Sequence, residues 1–181
     1  MEPVASFSPR SGPRILVVSS NRSHLALLAR RLGEEGYRIA VAETGAGALA
    51  ELHRVGADLV LSELLMPGMS GPDLARAIRG ETAWADLPIM LIAGRDDPTA
   101  AVRAYEAGAD DVILKPFHFE VLTARIERRL ASARALAELR EDMAALDARV
   151  VERAIELGEL KDRYYASEAE RRRLAGMVER V

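Results

Sequence analysis

The chain has 181 residues, 49% hydrophobic and 29% charged, with a net charge of −3 and no cysteine. This composition suits one globular core plus a more polar, helical stretch, and the lack of cysteine excludes disulfides, thiolate catalysis and cysteine-ligated zinc. Residues 14–117 carry 11 basic and 14 acidic side chains and residues 118–181 carry 13 of each. Neither half has the basic excess that counterion release on nucleic acid requires, so no nucleic-acid partner is expected.

No apolar window approaches the roughly 18 residues of a membrane span, and residues 1–13 carry no leader pattern, so a cytoplasmic protein without membrane contact is expected. Residues 1–13 read as a disordered tail. From Arg14 onward, short apolar runs alternate with amphipathic segments. Residues 15–18 read as a first strand, and residues 21–35 as a helix with Leu25, Leu28 and Leu32 on one face, stopped by Gly36. Residues 38–42 form a weaker second strand, and Thr44 caps a helix that runs to Arg54. A third strand from Ala57 ends on a lone acid, Glu63, followed by a turn marked by Pro67, Gly68 and Gly71. A helix opens at Ser70 or Gly71, residues 87–93 form a fourth strand, Asp97-Pro98 starts another helix, and residues 111–114 form the fifth strand. Five strands alternating with helices predict a parallel sheet covered on both faces. A carboxylate at a strand's carboxyl end in such a sheet stands where ligands collect.

After His118 there is no proline, and only Gly158 and Gly176 weaken a continuous helix. Leu122, Ile126 and Leu130 recur every four residues, the spacing of a helix packed on a sheet. The spacing then changes to three and four through Leu136, Leu139, Met143, Leu146, Val150, Leu157, Leu160, Tyr164, Leu174 and Val178, with Arg153, Ser167 and Arg171 interrupting the seam. That repeat predicts a dimerising coiled coil. Glu156 with Lys161 and Arg163 with Glu168 would attract across a parallel homodimer, whereas Asp142 with Asp147 would repel. A parallel pair is preferred over an antiparallel pair or a larger bundle.

Several short motifs recur in one order: Ile15-Leu16-Val17-Val18 before a polar pair, Met66-Pro67-Gly68-Met69-Ser70-Gly71, Leu87-Pro88-Ile89, Glu106 to Asp111, and Lys115-Pro116-Phe117. With them, residues 14–130 resemble the receiver domain of bacterial response regulators. The resemblance implies an α/β fold: a doubly wound, five-stranded parallel sheet of order 2-1-3-4-5, flavodoxin-like or CheY-like. Its fifth helix would continue into the coiled coil, giving a pseudo-receiver over 14–131 and a dimerisation helix over 132–181. The family further implies an acidic pair after strand one that holds Mg²⁺, a phosphoryl-accepting aspartate after strand three and a hydroxyl after strand four. It also implies an aromatic switch on strand five and a lysine before the strand-five proline. Placed on this chain, those positions are Ser19 and Ser20, Glu63, Ala93, Val112 and Lys115; only the lysine is unchanged.

Mg²⁺ takes six oxygen ligands in near-octahedral geometry, usually with one or two carboxylates. With serines at 19 and 20 the Mg²⁺ site is expected to be lost, leaving no cofactor, and phosphoryl transfer loses its main source of charge stabilisation. Glu63 is expected to pair with Lys115, either as a structural ion pair or as a longer acid imitating a phosphorylated aspartate. Ala93 and Val112 cannot relay the usual switch. His24, His53 and His118 match no metal-ligand spacing and read as surface or core histidines. The expected protein is non-enzymatic: a signalling adaptor or scaffold whose protein partners dock on the helix-four, strand-five, helix-five face. The alternatives are a regulatory N-terminal module of a histidine kinase, cyclase or phosphodiesterase, and a conventional phosphorylation-dependent response regulator.

Overall fold

The computed structural model describes residues 12–95 and 99–178, with side chains through Arg172. The expected tail as far as residue 11, the helix start at Asp97-Pro98 and the seam side chains of Leu174 and Val178 lie outside the described residues. In chain order the elements are β1 (Arg14–Val18), α1 (Arg22–Glu34), β2 (Arg38–Ala42), α2 (Gly45–Val55), β3 (Leu59–Glu63) and α3 (Gly71–Gly80). A short 3-10 turn (Thr82–Trp84) follows, which the sequence does not announce, then β4 (Ile89–Ala93), α4 (Ala100–Glu106), β5 (Asp111–Leu114) and α5 (Phe119–Val178).

The five strands form one parallel sheet in the order β2-β1-β3-β4-β5. Alternate residues of each strand point to opposite faces, and both faces are apolar. Leu16, Val18, Val60, Ile89 and Leu91 enter a core with α2, α3 and α4 through Ala48, Leu52, Leu74, Ile78 and Ala104. Ile15, Val17, Leu59, Leu61, Met90 and Ile92 enter the other, with Leu25, Leu28 and Leu32 of α1 and Leu122, Ile126 and Leu130 of α5. β4 is buried along its whole length, whereas β2 at the sheet edge is half-exposed, in keeping with its weaker pattern. β4 starts two residues later than the apolar run because Pro88 has no N–H for the ladder; its carbonyl still accepts from Val60 N–H at 2.8 Å.

Polar side chains fix the helix starts. Asn21 caps α1, Thr44 caps α2, and Ser70 with Asp73 forms a reciprocal capping box on α3. At the opposite edge of the sheet, Arg79 donates to the carbonyls of Leu87 and Gly108 and to Asp110, whose carboxylate also accepts from Ile89 N–H. That network anchors the amino ends of β4 and β5.

The chain divides into two compact units, Met1–Arg134 and Ala135–Val181. In the second unit the side chains of Leu136, Leu139, Met143, Leu146, Val150, Leu157, Leu160 and Tyr164 are exposed, as are Val151, Ile155 and Tyr165. Within this unit Glu156 pairs with Arg153, one of the polar seam residues. Among the described residues no helix is long and apolar enough to cross a membrane.

Candidate functional site at the carboxyl edge of the sheet

The chain leaves β1 toward β2 on one side and reaches β3 on the other, so the carboxyl ends of β1 and β3 flank the point where the winding reverses. Glu63 is the last residue of β3 and stands at that point. Two glycines shape the loop after it. Gly68 has φ +78, in the left-handed region. A Cβ on Gly71 would lie 2.5 Å from the carbonyl oxygen of Glu63 itself, so only glycine lets α3 begin this close to the strand end. Leu64 N–H donates to Ile92 O at 2.8 Å and holds the backbone beside Glu63 to β4.

Lys115 directly follows β5, where its N–H donates to Ala93 O at 2.8 Å. Its Nζ reaches 2.7 Å from Glu63 Oε1. The same oxygen receives a second donor that the sequence reading did not connect to it: His24 Nδ1 lies 2.6 Å from Glu63 Oε1. The histidine belongs to the first turn of α1, its own backbone N–H bound to the cap Asn21 at 3.1 Å. His24 is a half-buried histidine outside any metal-ligand cluster among the described residues, and its contact with Glu63 is what the sequence reading missed. The signal was present in the spacing, since His24 shares the inward face with Leu28 and Leu32 at intervals of four. His53 instead packs against Trp84 with the rings tilted by 56° and their centroids 4.6 Å apart, and His118 is exposed.

None of the side chains at the remaining expected positions bonds the Glu63 carboxylate. Ser19 is fully buried, and its Oγ accepts from Asn21 N–H at 3.2 Å, folding the turn into α1. Ser20 is exposed. Ala93 and Val112 are both buried in the core that faces α4. The donor set does not fit Mg²⁺. It offers one carboxylate, whose Oε1 is already shared by an ammonium and an imidazole, and a neighbouring hydroxyl engaged in a turn. Among the described residues no three His, Asp or Glu side chains gather closely enough to hold a metal.

The response regulator receiver domain family matches residues 15–127. Among proteins of similar sequence, the Sensory transduction protein RegX3 of Mycobacterium tuberculosis is 39% identical over 112 residues, 62% of this chain and 48% of that protein. The DNA-binding response regulator MtrA of Mycolicibacterium paratuberculosis is 38% identical over 117 residues, 65% of this chain and 51% of that one. The chain thus spans about half the length of these relatives. Because one of them is named as DNA-binding, the expectation of no nucleic-acid partner, which rested on net charge, is not carried forward. Among solved structures, the signal receiver domain of a signal transduction histidine kinase from Syntrophus aciditrophicus is 33% identical with a TM-score of 0.63, covering 67% of this chain and 92% of that one. With the sheet order, the strand-end acid and lysine, and a family match over most of its first unit, the chain belongs to the response regulator receiver domain family.

Proposed function

We propose that this receiver works without accepting a phosphoryl group: a fixed-state signalling module that presents its surface to a protein partner and is paired by its C-terminal helix. The observation that carries this reading is the state of Glu63. At the position of the family's acceptor the chain has a glutamate whose Oε1 is already taken by Lys115 and His24. The absence of acids at 19 and 20 supports loss of the Mg²⁺ site, so no cofactor is proposed. Ala93 and Val112 offer neither a hydroxyl nor an aromatic ring to move.

The docking face we favour is α4–β5–α5. Val102, Tyr105, Leu114 and Val121 are exposed there, beside Arg125, which donates to Asp111 at 3.0 Å. The exposed stripe of the second unit supports a homodimeric coiled coil, because a helix this apolar on one face gains by burying it against a copy, and the flanking Glu156/Lys161 and Arg163/Glu168 charges favour a parallel pair. The decisive experiment is incubation with acetyl phosphate and Mg²⁺ followed by intact-mass measurement. No phosphorylated species is expected; stoichiometric labelling would refute the proposal in favour of a conventional response regulator.

A second reading has its own support. The matched receiver from Syntrophus aciditrophicus belongs to a histidine kinase, and the regulators matched here are about twice as long as the shared segment. In that reading this receiver is the regulatory module of a larger signalling protein and passes its state along α5. Sequencing the native reading frame past codon 181 distinguishes the two, since an output domain would favour the module.

A further inference from the structure

We propose that His24 and Lys115 together take the place of the divalent cation, making Glu63 the centre of a metal-free clamp that ties the ends of β1, β3 and β5. The proposal rests on the reading of a receiver that works without phosphoryl transfer and assigns His24 as a positioning residue within it.

The three side chains come from three separate connections. Glu63 ends β3, Lys115 follows β5, and His24 stands in the first turn of α1 just after β1. Both donors meet one oxygen, Oε1, at 2.6 Å and 2.7 Å. An ionised carboxylate only accepts, so Nδ1 must carry the proton in the contact with Glu63. An ammonium likewise only donates, so the 3.5 Å approach of Lys115 Nζ to His24 Nδ1 is two donors converging on a shared acceptor.

Each donor is held from behind. The backbone of His24 is fixed by Asn21, and Leu25 and Leu28 are buried under the same helix. Lys115 is fixed by its N–H bond to Ala93 O. Glu63 is the most enclosed of the three side chains, 15% exposed against 21% for His24 and 38% for Lys115. A cation seeking Oε1 would have to displace two donors already in place. The imidazole joins the segment after β1 to the end of β3, and the ammonium joins the end of β5 to the same oxygen, so the three strand ends are held by side chains alone.

The test uses the full chain labelled with ¹⁵N. The imidazole spectrum should show Nδ1 protonated; a neutral ring protonated on Nε2 would overturn the clamp. Millimolar Mg²⁺ should leave the amides of His24, Glu63, Leu64 and Lys115 in place, and a saturable shift there would also overturn it. His24→Phe fills similar volume without the donor and should speed amide exchange at Leu64 and Lys115 by about tenfold or more. His24→Asn, which restores a side-chain N–H, should return exchange toward the wild-type rate. Equal acceleration in both variants, or none in His24→Phe, would reduce His24 to packing and sink the proposal. Should His24→Phe not fold, the imidazole spectrum and the Mg²⁺ titration still decide. Labelling of Glu63 by acetyl phosphate bears on the proposed function alone, because these readouts all concern the resting clamp.

Discussion

Lys115→Met keeps most of the aliphatic stem and removes the ammonium 2.7 Å from Glu63 Oε1. At that distance two unit charges attract by about 6 kcal/mol at an effective dielectric of about 20, and by about 1.5 kcal/mol in water. The gross figure is not the net one. Lys115 is 38% exposed, which places it near the water limit, whereas Glu63 at 15% has given up much of its hydration. A charge-assisted hydrogen bond in this setting is worth about 1–2 kcal/mol, so each of Lys115→Met and Glu63→Gln should cost about that much. The double variant should cost less than the sum, with an interaction energy of about 1 kcal/mol. Urea unfolding followed by tryptophan fluorescence is the assay, because the chain's single tryptophan, Trp84, lies in the first unit and reports that unit alone. Strictly additive costs, with an interaction below about 0.3 kcal/mol, would show that the two groups are neighbours without being energetic partners.

Gly71→Ala sets a Cβ against the Glu63 carbonyl and Leu64 Cα and should destabilise the first unit by about 1–3 kcal/mol in the same urea assay, shifting the Glu63 amide resonance as well. Tyr37 is buried, and burial, reinforced by Glu127 and Glu35, raises its phenol above the usual range. The folded state therefore favours the neutral phenol, so its contribution is intact below the unfolded value near pH 10 and is lost as the pH rises through the folded value. Tyr37→Phe should flatten that alkaline loss in pH-dependent melts. Leu157→Asp places a charge at the centre of the apolar stripe and should convert the expected dimer to monomer by sedimentation equilibrium while leaving the urea transition of Trp84 unchanged.

Most of the sheet was legible because its strands are short apolar runs closed by Gly, Pro and Asp, and the first three helices each start at a side chain that caps it. Asn21, Thr44 and Ser70 all cap as their residue types predict. The 3-10 turn at Thr82–Trp84 was not legible, since three residues are too few to establish a period. The seam from Leu136 is plain in the sequence, and in the structure its described side chains are exposed on one chain. What faces them is a matter of assembly, which local spacing alone does not dictate.

The substitutions that set this receiver apart were all readable in the sequence: glutamate at 63, serines at 19 and 20, alanine at 93 and valine at 112 beside an unchanged Lys115. Each is a residue type at a motif position, and the proposed loss of Mg²⁺ chemistry rests on counting carboxylates. His24 belongs to no motif and lies 39 residues from Glu63, with Lys115 a further 52 beyond it. Only the sheet order, which sets β1 directly beside β3 and β4 next to β5, brings the first turn of α1 and the end of β5 to the same carboxylate oxygen. A residue's type limits what it can donate or accept, but strand order and helix placement decide which distant partner it meets.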